Sequence, residues 1–264
     1  MNFQFSKIEL NRLQNYQDLF ASAFPDATHL NMEYLKWLYF DNPDGNVQGF
    51  DAFYNGLLVG HYACIPVQCE IDGSLRKGLL SLNTATHPMY QGKGLFTQLA
   101  QMTYEKAISD NFKFVYGVAN QNSTHGFVKK LGFELITPLD TYLLIGNIEI
   151  QENPQHRFKR SWTKETIKWR LSNPRKSYKN FNQLISVDTG KLNINCIATF
   201  SSVKSFLIYP SLFIGLKQIR STLKIKIPDM LKPSPLNLIF RSLGSKDQLA
   251  AKDFEIQFLD FDAY

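Results

Sequence analysis

The sequence predicts an α/β (α+β) fold with a boundary between two domains near residue 146. Three observations lead to this prediction. The chain has 264 residues, of which 44% are hydrophobic, which is enough for a sizeable core and typical of two domains. Between residues 79 and 133, strand and helix patterns alternate around a glycine turn. The composition also changes near residue 146, where an acidic balance gives way to a basic one.

The individual elements follow from hydrophobic periodicity and from turn residues. Apolar residues at helical spacing predict helices, and apolar runs bounded by Gly, Asn or Asp predict strands. Asn55-Gly56 and Asp72-Gly73 are each typical of a tight hairpin turn. In chain order we predict helices over residues 11–24 and 32–40, two strands around Asn55-Gly56 within residues 49–74, a strand over 79–86, a helix from residue 95, a strand over 112–119, a helix over 120–131 and a strand from 133.

The charge distribution places a domain boundary near residue 146. Residues 1–145 hold 10 Lys and Arg against 13 Asp and Glu, a balance of −3, whereas the remaining residues hold 19 against 10, a balance of +9. We therefore predict one domain over residues 1–146 and a basic one over residues 147–264. Such an excess of Lys and Arg is typical of an anionic partner (nucleotide phosphate, nucleic acid or a lipid surface), and equally of a solvated lysine-rich surface.

A short internal similarity links the two parts. The segment "YLKWLYFDNPDG" (residues 34–45) resembles "TIKWRLSNPRKSY" (residues 166–178), because each has Lys-Trp followed by Asn-Pro. A helix that ends at Asn-Pro explains each copy locally, because proline disfavours helical geometry in the residue before it. The similarity is compatible with a duplication and with two independent helix ends.

The sequence disfavours secreted, membrane-spanning and metal-binding classes. The first 16 residues lack the apolar run of a signal peptide, and the longest apolar stretch, residues 205–216, is too short to span a bilayer as a helix. Cys64, Cys69 and Cys196 have no C-x-x-C spacing, and the histidines form no ligand pair. We therefore expect a cytoplasmic protein with buried thiols, no metal and no integral membrane segment.

A glycine turn, "QGKGLFT" (residues 91–97), leads from a strand into a helix. It is not a Walker loop, which needs Ser or Thr after Gly-Lys, and Thr97 stands where a dinucleotide fingerprint has its third glycine. Gly92 and Gly94 permit positive φ and a close approach of the main chain to a ligand. The first amides of the following helix lack intrahelical partners and favour an anion such as a pyrophosphate. Glycines at such a corner also serve simply to turn the chain.

Two segments resemble the signatures of the GNAT superfamily of N-acetyltransferases. "THPMYQGKGLFTQL" resembles its coenzyme A loop, in which Gln or Arg, two residues, Gly, one residue and Gly or Ala follow a strand. "VANQNSTHGFVKKLGFEL" resembles its second signature, an Asn that opens a helix ending in Lys-Leu-Gly-Phe. The resemblance covers about residues 5–145 and implies a GNAT-type mixed, twisted sheet with flanking helices. The second domain is then expected to be a divergent, degenerate GNAT-like one, because it has no such loop. The coenzyme A-binding residues that the resemblance implies are Ala85, Thr86, Gln91, Gly92, Lys93, Gly94, Leu95, Phe96, Thr97, Asn120, Ser123 and Phe127.

The sequence departs from the family pattern at two positions. Phe96 stands where the loop has Gly or Ala, and we expect its ring to lie under the loop or against the pantetheine arm. Val128 is closest to a position where many members have a tyrosine that can protonate the departing thiolate. The sequence therefore lacks the usual general acid at this position.

The resemblance implies direct attack of an amine on the thioester of acyl-coenzyme A in a ternary complex. The expected cosubstrate is acetyl-coenzyme A or another short-chain acyl-coenzyme A, for example a hydroxyacyl-coenzyme A, bound where the strand of residues 82–86 diverges from that of residues 115–119. His125 is a candidate for proton transfer, or a surface histidine. Asn83 is a candidate for binding the amine or a water, or a buried hydrogen-bonded residue. The candidate acceptor-binding residues, on the helix expected to form the acceptor wall, are Glu33, Tyr34 and Tyr39.

The charge balance guides the choice of acceptor. A polycationic amine suits a protein with a pI of about 9.1 poorly, whereas a basic second domain beside the cleft can hold a diphosphate. We expect a nucleotide-linked (dTDP or UDP) amino deoxysugar as acceptor, in O-antigen or capsule biosynthesis, no nucleic acid partner, and a monomer or homodimer. The alternatives are acetylation of another small amine or a protein, a peptidoglycan aminoacyltransferase, and a non-catalytic acyl-coenzyme A sensor.

Overall fold

The computed structural model describes residues 1–181, 183–190, 194–232, 234–244 and 248–261, which form two mixed sheets and their helices. The α-helices are Leu13–Ala23 (α1), Met32–Phe40 (α2), Leu95–Ser109 (α3), Gln121–Lys130 (α4) and Lys164–Leu171 (α5). The strands are Gln4–Lys7 (β1), Gln48–Tyr54 (β2), Leu57–Ile71 (β3), Ser74–Thr86 (β4), Phe114–Ala119 (β5), Glu134–Pro138 (β6), Asp140–Gln151 (β7), Phe158–Arg160 (β8), Tyr178–Phe181 (β9), Leu184–Asp188 (β10), Asn195–Thr199 (β11), Val203–Gly215 (β12), Gln218–Lys226 (β13), Asn237–Ser242 (β14) and Phe254–Glu255 (β15).

The first part of the chain confirms the predicted order of elements. The helix predicted over residues 32–40 is α2, and the helix predicted from residue 95 is α3. Asn55-Gly56 and Asp72-Gly73 both have positive φ and close two-residue hairpins, as expected for these residue pairs. The second hairpin places Ser74 directly opposite Ile71. For this reason β4 begins five residues before the predicted strand at residue 79.

The first sheet has the order β1-β2-β3-β4-β5-β14-β6 and is covered on both faces. Alternate residues of β3 point to opposite sides: Ala63 and Ile65 join a core with α1 and α2, and Tyr62 and Cys64 join another with α3. The pairing between β4 and β5 is parallel, and the other pairs on this path are antiparallel. This mixed, doubly covered sheet agrees with the predicted fold class.

The parallel strands β4 and β5 separate halfway along their length. They pair from Leu79–Val115 to Ser81–Gly117 and no further. Just beyond, Asn83 adopts φ = 40°, and the register between β3 and β4 shifts by one residue at this position. Such a bulge bends a strand and increases its twist, so β4 turns away from β5. The divergence predicted for residues 82–86 is therefore present.

The second sheet repeats the topology of the first. Its order is β13-β7-β12-β11-β10-β9, in which β9, β10 and β11 are antiparallel and β11 pairs with β12 in parallel. The strands β2 to β5 show the same succession of pairings, and α5 precedes β9 as α2 precedes β2. The second part of the chain is thus a divergent copy of the same architecture, although no helix between β11 and β12 corresponds to α3 in the described residues.

The two sheets exchange one strand each. In the first sheet, β14 from the second half lies between β5 and β6; in the second sheet, β7 lies between β12 and β13. The boundary predicted at residue 146 falls inside β7. The chain therefore consists of two interlocked units rather than two segments that follow one another.

A pair of tryptophans joins the repeated segments. Trp37 and Trp169 stack with ring centroids 4.8 Å apart, and each indole Nε1 donates a hydrogen bond of 3.0 Å to the backbone carbonyl of the other residue. Asn42 and Asn173 each accept a hydrogen bond from the amide two residues further on, which ends both helices in the same way. Equivalent residues thus meet across an approximate two-fold relation, which favours a duplication as the origin of the similarity.

The described residues contain neither a candidate membrane-spanning helix nor a cluster of metal-binding side chains. Among them, no helix has the length and apolar character needed to cross a bilayer, and the longest, α3, has 15 residues. The apolar stretch at residues 205–216 lies mostly in β12. Cys64, Cys69 and Cys196 are buried free thiols, as predicted, and the described part of the chain shows no group of three His, Cys, Asp or Glu arranged to hold a metal ion.

The strand exchange predicts that neither half folds alone. A fragment of residues 1–154, cut in the exposed loop between β7 and β8, lacks β14 and leaves β5 and β6 without their common neighbour. We expect it to unfold without a cooperative thermal transition in circular dichroism. Co-expression with residues 155–264 should restore both the transition and the stability, because the missing strand is then supplied in trans. A cooperative transition of the first fragment alone would contradict this account.

Candidate functional site

The divergence of β4 and β5 opens a cleft of about 780 Å³, within the usual size range of ligand sites. The glycine turn, the start of α3 and one face of α4 form its other walls. Its lining residues are Phe24, Ser81, Leu82, Asn83, Thr84, Thr86, Tyr90, Gln91, Gly92, Gly94, Leu95, Phe96, Thr97, Gly117, Val118, Ala119, Asn120, Asn122, Ser123, Gly126, Phe127, Lys130, Leu236 and Ile239.

Most of the predicted cofactor residues line this one cleft. They come from three separate segments of the chain, which the fold brings together at the open end of the β4–β5 pair. The predicted residues in the lining are Asn83, Thr86, Gln91, Gly92, Gly94, Leu95, Phe96, Thr97, Asn120, Ser123 and Phe127.

The glycine turn has the backbone geometry that an anion site needs. Gly92 and Gly94 have φ of 74° and 78°, and Gly94 is the N-cap of α3. A Cβ atom built on either glycine would meet nothing within 4 Å, so it is the positive φ, and not a close neighbour, that favours glycine at these positions. Within the described residues, the amides of residues 92–97 donate to no protein acceptor. Unpaired amides and the positive end of the helix dipole together favour a phosphate group at this point.

Phe96 is accommodated by a glycine on the facing helix. Its ring packs edge-on against Phe127, with centroids 5.3 Å apart. A Cβ atom on Gly126 would lie 2.9 Å from Cε1 of Phe96. The large residue in the loop and the small one on α4 therefore complement each other, and Phe96 lines the cleft as expected for a ring beneath the loop.

The second signature forms a capped helix that points at the cleft. The side chain of Asn120 accepts a hydrogen bond of 2.9 Å from the amide of Ser123, which confirms the predicted N-cap. Gly132 follows the helix and has φ = 67°, the left-handed conformation that glycine often adopts just after the end of a helix. Residues 122, 123, 126, 127 and 130 share the face of α4 that lines the cleft.

The structure corrects the placement of three predicted residues near the cofactor. His125 is exposed and falls outside the cleft-lining face of α4, so the expected proton transfer by this histidine has no support. Ala85 is buried in the core, because alternate strand residues point to opposite sides and its two neighbours, Thr84 and Thr86, face the cleft. Lys93 is exposed on the turn, and its side chain lies outside the lining.

The predicted acceptor residues on α2 are also placed differently. Tyr39 is fully buried, with its hydroxyl 2.9 Å from Nε2 of His61. Tyr34 is buried between Trp37 and the guanidinium of Arg175, which lies 4.6 Å from the centroid of its ring. Glu33 is exposed in the first turn of the helix. None of the three belongs to the cleft lining: Tyr39 packs on Tyr16 of α1 and His61 of β3, and Tyr34 contacts the segment after α5.

The lining has an unusual charge distribution. Among the residues that the structure describes, it includes no Asp or Glu, and Lys130 is its one charged side chain. A carboxylate that takes a proton directly from an amine is therefore missing from the described walls. The cleft has no anionic group to attract a polycation.

Several lining residues were not predicted because they come from distant parts of the sequence. Ile239 lies on the exchanged strand β14, and Leu236 lies just before it. Phe24 follows α1. These apolar residues carry no motif, and the position of Leu236 and Ile239 depends on strand exchange between the two halves.

The equivalent gap in the second sheet is filled by the chain itself. The strands β11 and β12 pair in parallel only from Asn195–Ser211 to Cys196–Leu212. Beyond them, the side-chain amide of Gln257 donates to the carbonyl oxygen of Thr199 at 2.6 Å, and its oxygen accepts from the Thr199 amide at 3.0 Å. This side chain occupies the gap and makes the hydrogen bonds that a neighbouring strand would make.

Comparison with solved structures shows the same architecture in other proteins. A probable N-acyltransferase from Enterococcus faecalis is 11% identical and has a TM-score of 0.65, with 92% of this chain and 73% of that chain covered. A GCN5-related N-acetyltransferase from Anabaena variabilis is 13% identical, with a TM-score of 0.58 and the same coverage. A putative acetyltransferase from Pyrococcus horikoshii is 10% identical, with a TM-score of 0.57 and coverage of 95% and 92%. At these identities the similarity concerns the fold.

Sequence comparison identifies the family. Among curated proteins, no sequence match was found. Residues 4–136, half of the chain, match the sequence model of the family described as Acetyltransferase (GNAT) domain. This match covers the glycine turn, the divergent strands and the capped helix that form the cleft. The chain therefore belongs to the GNAT acetyltransferase family and is an acyl-coenzyme A-dependent N-acyltransferase.

Proposed function

We propose that the protein transfers a short acyl group from acyl-coenzyme A to the amino group of a nucleotide-linked amino sugar. The observation that carries this proposal is the charge of the cleft, whose described lining holds Lys130 and no carboxylate. Such a wall suits a neutral or anionic acceptor and repels a polyamine or an aminoglycoside. A sugar joined to a nucleoside diphosphate combines a weakly basic amine with two negative charges.

The cofactor would bind along the axis of the cleft. The pyrophosphate of coenzyme A would lie on the amides of residues 92–97, and the pantetheine arm would run between β4 and β5. Strand edges that have lost their neighbour carry free N–H and C=O groups, which can pair with the two amides of that arm. The acyl group would then reach the bulge at Asn83, where the cleft narrows between the strands.

The second unit would contribute to the acceptor side. It carries the positive charge of the protein, +9 from residue 146 onward. Arg175, from the segment after α5, reaches α2 and stacks on Tyr34, so the basic half borders the helix next to the cleft. Lys and Arg at this border can hold a diphosphate through charge-assisted hydrogen bonds. We place the reaction in the cytoplasm, in the assembly of an O-antigen or capsule sugar.

The transfer itself would be a direct displacement in a ternary complex. The amine nitrogen bonds to the thioester carbon, the carbon–sulfur bond breaks, and the proton lost by the nitrogen is taken up by the thiolate. Without a carboxylate in the described walls, rate enhancement would come mainly from orienting the two reactants and from backbone amides at the developing oxyanion. An amino sugar suits this arrangement, because a good fraction of its amine is already neutral near pH 8.

The glycine turn provides the test of cofactor binding. Gly94→Val should weaken coenzyme A binding by about tenfold or more, roughly 1.4 kcal/mol, because a β-branched residue strains the left-handed backbone at φ = 78° and displaces the amides of the turn. Gly56→Val is the matched control: Gly56 has φ = 80°, equally open surroundings and a position in the β2–β3 hairpin. Both variants should lose similar stability from a side chain in the left-handed region, about 1–2 kcal/mol. Equal coenzyme A affinity of the two variants in calorimetry would refute the assignment of the turn.

The acceptor class can be tested by thiol release. Purified protein is incubated with acetyl-coenzyme A and, separately, with dTDP- or UDP-linked amino sugars, the corresponding free amino sugars, a polyamine and an aminoglycoside. We expect turnover with a nucleotide-linked sugar, and a kcat/KM at least about tenfold lower for the free sugar, since the diphosphate contributes binding energy. Preferred turnover of the polyamine or the aminoglycoside would overturn the proposed acceptor and leave the family assignment untouched.

A further inference from the structure

A chain of buried polar side chains lies directly behind the cleft. Asp51 on β2 is 2.8 Å from Nδ1 of His61 on β3, and Nε2 of His61 is 2.9 Å from the hydroxyl of Tyr39 on α2. All three side chains are fully buried, in a core that is otherwise apolar and aromatic. Buried polar groups cost free energy unless they are fully paired, so an ordered chain of this length next to an active site calls for an explanation.

The far end of the chain is anchored by a positive charge. Oδ2 of Asp51 accepts a hydrogen bond of 2.9 Å from the hydroxyl of Tyr16, and it lies 3.3 Å from Nη1 of Arg12. The same guanidinium also lies 3.2 Å from the carboxylate of Glu9. Asp51 therefore accepts hydrogen bonds from Tyr16 and Arg12 on one side and faces Nδ1 of His61 on the other.

The polarity of every hydrogen bond in the chain follows from this anchor. A carboxylate only accepts hydrogen bonds, so Nδ1 of His61 carries the proton and donates it to Asp51. In the neutral ring, Nε2 is then an acceptor, and the hydroxyl of Tyr39 must donate to it. The oxygen of Tyr39 is left with its lone pairs as the acceptor at the near end of the chain.

Asn83 connects this end to the cleft. It lies at the bulge of β4, lines the cleft, and approaches the Tyr39 hydroxyl closely. Burial raises the pKa of Tyr39, and the nearby Asn83 amide acts in the opposite direction. Nδ2 of Asn83 is buried and has no partner within ordinary hydrogen-bond distance among the described residues. The oxygen of Tyr39 is an acceptor close to this amide.

We infer that Asp51, His61 and Tyr39 are positioning residues that hold the Asn83 amide with Nδ2 towards Tyr39 and Oδ1 towards the cleft, where Oδ1 accepts a hydrogen bond from the attacking amine. The inference rests on the proposed function, in that the amine is the acyl acceptor. A hydrogen bond from the amine N–H to a fixed oxygen turns the nitrogen lone pair towards the thioester carbon. The residue thus supplies orientation in a cleft whose described walls offer no carboxylate.

The orientation of Asn83 can be tested without any acceptor. In 15N-labelled protein, we expect the side-chain amide protons of Asn83 to exchange slowly with solvent, and about tenfold or more faster in Tyr39→Phe, which lacks the accepting oxygen. Tyr104→Phe is the matched control, since it also removes a buried phenol hydroxyl, one that bonds Tyr62 on the opposite face of the same sheet. Equal exchange rates in wild type and Tyr39→Phe would overturn the inference, whatever the acceptor proves to be.

The kinetic test is a double-mutant cycle with an amine that the wild type acylates. Tyr39→Phe and Asn83→Ala should each lower kcat by about tenfold or more while coenzyme A affinity stays unchanged, because the amine is misoriented and the cofactor is not. The double variant should be no slower than Asn83→Ala alone, since Tyr39 acts through Asn83. Tyr104→Phe should retain wild-type kcat.

Additive losses, or a parallel loss of coenzyme A affinity, would show a general structural role and contradict the inference. If the protein acylates no nucleotide-linked sugar, the proposed acceptor is wrong. The double-mutant cycle is then run with whichever amine the wild type does acylate, so it still tests the inference.

Discussion

The separation of two parallel strands is the constraint on which the rest of the structure depends. After Ser81 and Gly117 the strands β4 and β5 have no hydrogen bonds to each other, and the cleft exists because nothing closes that gap. A strand that loses one neighbour needs support from the other side. Strand β14 provides it, pairing with β5 from Asn237–Ala119 to Ser242–Phe114, past the point of separation. The second half of the chain thus stabilises an edge that the first half leaves open.

The same architecture serves two purposes in the two units. In the first, the gap is kept open and carries a glycine turn at its mouth. In the second, Gln257 occupies the gap and makes the hydrogen bonds that a neighbouring strand would make. The second unit therefore has a structural role, through β14 and through the stacked pair of Trp37 and Trp169, and its positive charge gives it a role in our proposal for the acceptor. A duplication in which one copy keeps the cleft explains both the symmetry and its loss.

How much of the fold and of the candidate site could be predicted depends on how far apart in the sequence the interacting residues lie. Local signals were sufficient for the Asn55-Gly56 hairpin, the left-handed Gly94 and the cap at Asn120, because a few adjacent residues determine each of them. The exchange of β7 and β14 joins residues from 53 positions apart (Ile150 and Val203) to 128 positions apart (Phe114 and Ser242), and it has no local signature. The burial of Tyr39 was missed for a related reason: its ring packs on Tyr16 of α1 and His61 of β3, which are separated from it by 23 and 22 positions in the sequence. The position of His125 followed from the helical face of Phe127 and could have been found by spacing alone.

The central claim is that the opened sheet holds acyl-coenzyme A with its thioester at the bulge of β4. A crystal structure of the protein with a non-hydrolysable acetyl-coenzyme A analogue tests this claim most directly. The account predicts pyrophosphate oxygens at hydrogen-bond distance from the amides of residues 92–97, the pantetheine arm between β4 and β5, and the acyl carbonyl beside Asn83. A cofactor bound elsewhere, or one whose acyl group lies outside the gap between these strands, would contradict it.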